Sequence, residues 1–135
     1  MSENHKLLIL FVCRHNTGRS QMAEAYLRLF ASDAVDVVSA GTIPAEKPEP
    51  VVVQVMAEDG IDISAARPKI LEPSVLERAQ LIITMGCDVQ GVPRIDDDWG
   101  LSDPKGQPIE RVREIRDAAK SKARELATRL KSKDT

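Results

Sequence analysis

Apolar positions change period several times along this chain, and each change predicts an element. KLLILFV (6–12) is a continuous apolar run bounded by polar residues, which predicts a strand covered on both faces. From Ser20 the spacing becomes three to four. Met22, Tyr26 and Phe30 recur with Leu27 and Leu29 beside them and Gln21, Glu24 and Arg28 between, predicting an amphipathic helix that ends near Ser32. VDVVSAGT (35–42) predicts a second strand, closed by Gly41.

PEPVVVQVMAEDG (48–60) carries two conflicting signals. Its β-branched run favours a strand, whereas proline at the start and Gly60 at the end favour a helix. Its length and the IDIS that follows decide for the helix. PSVLERA (73–79) predicts a short helix, QLIITM (80–85) a buried strand, and GVPRI (91–95) a fourth, short strand before a loop from Asp96 to Gln107. The last element has the clearest pattern. Ile109, Val112, Ile115, Ala119, Ala123, Leu126 and Leu130 step through a charged background as one stripe of a long helix, whose basic last turns suit the dipole.

Strands alternating with helices predict an α/β fold with a parallel sheet between helical layers. In such folds ligands bind beyond the carboxyl ends of the strands, where strand order reverses. The loop there is CRHNTGR, Cys13 to Arg19.

That loop has the chemistry of an anion site. Successive backbone N–H groups of residues 14 to 19 can turn inward, and the helix N-terminus adds a positive field. Gly18 is the expected position of a residue with positive φ near the turn into the helix. Arg19 adds a planar fork of donors suited to a tetrahedral oxyanion. Cys13 lies at the foot of this cradle, where the same field stabilises a thiolate, and the Ser20 hydroxyl is placed to add a hydrogen bond. A thiolate below a bound oxyanion is set for in-line attack on the central atom. Asn16 is read as bracing the loop. His15 is read as a solvent-facing histidine, with a catalytic base as the competing reading, and Cys13 as a buried structural cysteine is the bland alternative. A leaving oxygen needs a proton, and DDDWGLSDPKG (96–106) offers carboxylates. Asp103, before Pro104, is the candidate general acid and base, with Asp96, Asp97 and Asp98 as alternatives in what reads as a solvated turn.

The bulk numbers narrow the class without changing this picture. At 135 residues, 42% apolar and 30% charged, the chain is expected to be one globular domain over 1–135. A formal charge of −2 gives no general attraction to nucleic acid or to a membrane. The longest apolar run is far shorter than a bilayer span of about 20 residues, and Arg14 and His15 follow it where a signal cleavage site would need small residues. Two cysteines do not make a disulfide framework. We therefore expect a cytoplasmic protein with reduced thiols, monomeric, without bound cofactor and without a metal, since no ligand cluster has metal spacing.

VCRHNTGRSQMAEA, SAGT, GIDIS, LIITMGC and DWGLSDPKGQPIERVREIRD together resemble the low-molecular-weight tyrosine phosphatase superfamily, and within it the arsenate reductases. The likeness spans nearly the whole chain. It implies a flavodoxin-like, four-stranded parallel sheet flanked by helices. It also implies Cys13 as nucleophile, Arg14, His15, Asn16, Thr17, Gly18 and Arg19 as the oxyanion cradle, Ser20 as thiolate partner and Asp103 as general acid. Both branches share the first step and differ in the second, where water releases phosphate or another thiol attacks a Cys–S–As adduct.

Cys87 is the candidate second thiol. It follows LIITM as Cys13 follows LLILFV, and in the superfamily those strands are neighbours; a buried packing cysteine is the competing reading. Thioredoxin-coupled reductases of this kind carry three cysteines, two of them near Gly86 and Val92 here, so their full relay is absent. Either Cys13 and Cys87 pair directly, or an external thiol attacks and a thioredoxin, glutaredoxin or low-molecular-weight thiol system completes the cycle. Lys105 and Gly106 follow the Asp-Pro pair where phosphotyrosine phosphatases place an aromatic. With Phe11, Tyr26 and Phe30 expected in the core, Trp99 is the one candidate wall, which favours a small oxyanion such as arsenate, phosphate or sulfate over an aryl ester. The resemblance thus implies an arsenate reductase first. A phosphatase is the alternative, and a non-catalytic oxyanion-binding module or thiol sensor the third reading.

Overall fold

The computed structural model describes residues 6–86 and 89–132. In chain order the elements are β1 (Leu7–Cys13), α1 (Arg19–Ala31), β2 (Val35–Gly41), α2 (Pro50–Glu58), α3 (Pro73–Arg78), β3 (Leu81–Thr84), β4 (Asp97–Asp98) and α4 (Ile109–Ser132). The four strands form one parallel sheet in the order β2-β1-β3-β4. The chain leaves β1 toward one side for β2 and returns to the other side for β3. The carboxyl end of β1 is therefore the switch point, and Cys13 is its last residue.

Alternation along β1 divides the core between the sheet faces. Ile9, Phe11 and Cys13 share one face with Met22, Tyr26 and Leu27 of α1, Val52, Val55 and Met56 of α2, and Val112, Ile115 and Ala119 of α4. Leu10 and Val12 face the other way, with Ala40 and Ile82, beneath Val75 and Leu76 of α3. The β-branched run of α2 is helical because one side of it is buried against this core, a tertiary demand that outweighs its strand propensity. Pro50 begins that helix, where its missing N–H costs nothing. A hub of side chains ties α1, α2 and α4 together. The Tyr26 hydroxyl and Lys120 Nζ both donate to Asp59 Oδ2, at 2.7 and 2.9 Å. The Lys120 and Tyr26 hydrogen bonds hold the Asp59 carboxyl below its ordinary range, while burial, then the Asp59 bond, push the Tyr26 phenol up.

Two expectations are corrected. The fourth strand is Asp97–Asp98, paired with Ile83 and Thr84, and not GVPRI. Asp96 explains the shift: its carboxylate accepts the Ile82 N–H and the Arg94 guanidinium, while Arg94 also donates to the Ala79 and Gln80 carbonyls. Arg94 and Asp96 thus clamp the start of β3, where the Asp96 N–H also donates to the Ile82 carbonyl at 2.8 Å, and the ladder continues through Asp97 and Asp98. Trp99 is no pocket wall. It is buried in the core with its ring centroid 5.0 Å from that of Phe11. Among the described residues no helix is long and apolar enough to cross a membrane.

Candidate active site

The loop from Cys13 to Gly18 is held from outside through its carbonyls. The carbonyl of Cys13 accepts from Thr42 N–H, that of Arg14 from Ile43, that of His15 from Ala45, that of Thr17 from Glu49 and that of Gly18 from Met22. The Asn16 carbonyl accepts from Gln21 Nε2 at 3.1 Å. In a trans peptide each carbonyl points opposite to the next N–H. Tying these carbonyls outward therefore turns the N–H groups of residues 14 to 19 into the loop, above the Cys13 sulfur. β2 must pass close to permit this: a Cβ on Gly41 would lie 2.7 Å from the Arg14 oxygen, so a side chain there is incompatible with the loop.

Asn16 is wholly buried and, with φ of 57°, is the left-handed residue of the loop. The expected position, Gly18, has φ of −139°. Asparagine tolerates this conformation better than other residues with a side chain, and here its amide repays it. Oδ1 accepts the Lys69 backbone N–H at 2.9 Å, which fixes the amide orientation because a backbone N–H only donates. Nδ2 then donates to Ser20 Oγ at 2.8 Å and Ser39 Oγ at 3.0 Å. The Ser39 hydroxyl in turn donates to Glu24 Oε1 at 2.5 Å, and Glu24 is gripped by Arg28. Ser20 Oγ, which accepts from Asn16, also shares a hydrogen bond with Cys13 Sγ, 2.8 Å away, in which either atom can donate. The Asn16 N–H points at the same sulfur from 3.2 Å.

Glu24 and Ser39 were not singled out in the sequence. The available signal was Ser39 itself, a polar residue in phase with buried Val35 and Val37 on β2, where a partner is obligatory. Replacing Asn16 with Ala should strand several buried partners and leave alanine in a left-handed conformation. We expect a loss of about 2–4 kcal/mol in urea unfolding, and a change below about 0.5 kcal/mol would show that the amide holds nothing.

Arg19 is the first residue of α1, with its side chain 11% exposed. Nη1 donates to the Leu101 carbonyl at 3.0 Å and the Met85 carbonyl at 3.3 Å, so the guanidinium spans both neighbouring loops. Nη2 lies 3.9 Å from Asp103 Oδ2. Arg14, His15, Arg19, Gly86, Leu101, Ser102 and Asp103 line a cleft of about 340 Å³. Of the carboxylates considered, Asp103 lines this cleft, and Asp96, Asp97 and Asp98 do not. His15 is exposed, with Nδ1 2.9 Å from the Ile43 carbonyl, an arrangement that places the proton on Nδ1. Thr17 and Gly18 complete the turn into α1. Cys87 lies outside the described residues. Among the described residues no Phe, Tyr or Trp lines the cleft, and no group of His, Cys, Asp and Glu is arranged to hold a metal ion.

Residues 8–135 match the family described as low molecular weight phosphotyrosine protein phosphatase. The chain is 41% identical over 115 residues to a putative arsenate reductase of Halobacterium salinarum, covering 79% of this chain and 81% of that one. It is 31% identical over 128 residues to a glutaredoxin arsenate reductase of Synechocystis, covering 90% and 97%. Among solved structures it resembles an arsenate reductase in the phosphate-binding state, with a TM-score of 0.83, 31% identity, and coverage of 92% and 98%.

Proposed function

Because this chain belongs to the low molecular weight phosphotyrosine protein phosphatase family, we propose that it uses that family's thiolate chemistry to reduce arsenate. The observation that carries this reading is the lining of the cleft beside the Cys13 loop: cations, backbone and one carboxylate, with no Phe, Tyr or Trp among the described residues to stack on an aryl ester. The arsenate reductases it resembles support the same choice.

The residues act in sequence. The inward N–H groups of residues 14 to 19 and Arg19 receive the oxyanion. The Cys13 thiolate attacks arsenic, an S–As bond forms, and the departing oxygen leaves as water with a proton from Asp103. A second thiolate then attacks the Cys13 sulfur. An S–S bond forms, the S–As electron pair passes to arsenic, and As(V) leaves as As(III). A dithiol redoxin reduces the resulting disulfide. The second thiolate is Cys87 or an external thiol.

Substitution of Cys87 by Ser separates these routes. With the direct route, multiple-turnover arsenite formation falls at least about 100-fold, while a single phosphoryl-type first step persists. Undiminished turnover with an external thiol would remove Cys87 from the mechanism. A phosphatase is the second reading, favoured by the family match itself. Arsenite formation undetectable with thioredoxin, glutaredoxin and small thiols, alongside rapid aryl phosphate hydrolysis, would establish that reading in place of the first.

A further inference from the structure

From Ser102 to Gln107 the chain is exposed except at Pro104, which is buried between exposed Asp103 and Lys105. Its ring fills the space that a side chain on Gly18 would need. A Cβ there would sit 2.9 Å from Pro104 Cγ and 3.4 Å from Val52 Cγ2. With φ of −139°, Gly18 is outside the left-handed region that favours glycine, so its small size matters through this contact.

The Asp103 segment is consequently held to the anion loop at two points. The Leu101 carbonyl accepts from Arg19 Nη1, and Pro104 rests in the notch between Gly18 and Val52. Between these points Asp103 Oδ1 accepts the Lys105 N–H at 3.0 Å, leaving Oδ2 toward Arg19. The turn closes behind with the Gln107 N–H on the Pro104 carbonyl at 3.1 Å.

We propose that Gly18 and Pro104 are a positioning pair: the missing side chain at 18 is the seat for Pro104, and seating Pro104 holds Asp103 over the anion site. The pair acts through Asp103, so this inference rests on Asp103 being the proton donor. It makes the loop that binds the oxyanion and the loop that protonates the leaving oxygen a single unit.

The test is a set of substitutions read by steady-state arsenite formation and by competitive inhibition with inorganic phosphate. Gly18→Ala should lower kcat about 10–100-fold, the scale of a misplacement near 1 Å, while the phosphate inhibition constant moves less than about threefold. In an Asp103→Asn background the same substitution should cost nothing further, because the group it misplaces is gone. Pro104→Ala empties the same seat from the other side, so it should lower kcat by itself while sparing phosphate inhibition, and with Gly18→Ala the two losses should fall short of multiplying. A parallel loss of phosphate affinity, multiplied losses with Asp103→Asn, or full turnover in Pro104→Ala alone would overturn the pairing. An Asp103→Asn enzyme with unchanged turnover would instead remove the proton-donor reading, and the pairing with it.

Discussion

Cys13→Ser should abolish turnover, lowering arsenite formation and any aryl phosphate hydrolysis by at least about 10⁴-fold, while phosphate still binds. Removing a nucleophile forfeits the covalent route, and what remains is positioning by the rest of the site. The binding half of this expectation follows from how the cradle is made. Its donors are backbone N–H groups, turned inward because the carbonyls of residues 13 to 18 are tied to Thr42, Ile43, Ala45, Glu49, Met22 and Gln21. None of those ties involves the Cys13 side chain. The serine hydroxyl carries no charge, so phosphate affinity measured by calorimetry should hold or rise. Turnover within about tenfold of the parent would eliminate Cys13 as the nucleophile. Lost turnover with lost phosphate binding would show that the sulfur shapes the loop.

Arg19→Lys should be nearly as damaging despite keeping the charge. The guanidinium has two tasks on different nitrogens: Nη1 joins the Met85 and Leu101 carbonyls, and Nη2 faces the Asp103 side of the cleft. An ammonium is a single point of charge and cannot bridge two carbonyls while presenting a flat pair of donors to an oxyanion. We expect kcat/KM to fall about 10²–10³-fold, the scale of losing one preorganised donor to the developing charge, with a weakened phosphate inhibition constant. This differs from the pattern for Gly18→Ala, which spares binding. A lysine enzyme with kcat/KM within about threefold of the parent would reduce Arg19 to a general positive charge.

Several elements were legible because one physical signal governed each. The apolar run of β1 needs cover on both faces, and the stripe of α4 needs one partner surface; nothing in the chain competes with either. The fourth strand was misplaced for an opposite reason. GVPRI has the right composition, but pairing is decided by Arg94 and Asp96 clamping β3, a tertiary arrangement that no local pattern contains. The loop divided similarly. Cys13, Arg19 and Ser20 stand out by spacing after a buried strand. Asn16 as the left-handed residue could not be separated from Gly18, since both tolerate unusual backbone angles and the choice depends on Ser20, Ser39 and Lys69 converging from three segments. Trp99 looked available for a wall because aromatics were scarce, yet scarcity also made it valuable beside Phe11.

The sheet edges also affect how the protein behaves in a crowded solution. Open strand edges invite other chains to add on, and long, flat, apolar ones seed aggregates. Here β4 is two residues long, both exposed aspartates, so an approaching copy would meet little backbone and two like charges. At the opposite edge, β2 is partly covered where Gly41 bridges Ile70. The acidic pair read as a spare catalytic carboxylate thus stands at the sheet edge, outside the cleft, where its like charges oppose the addition of another strand.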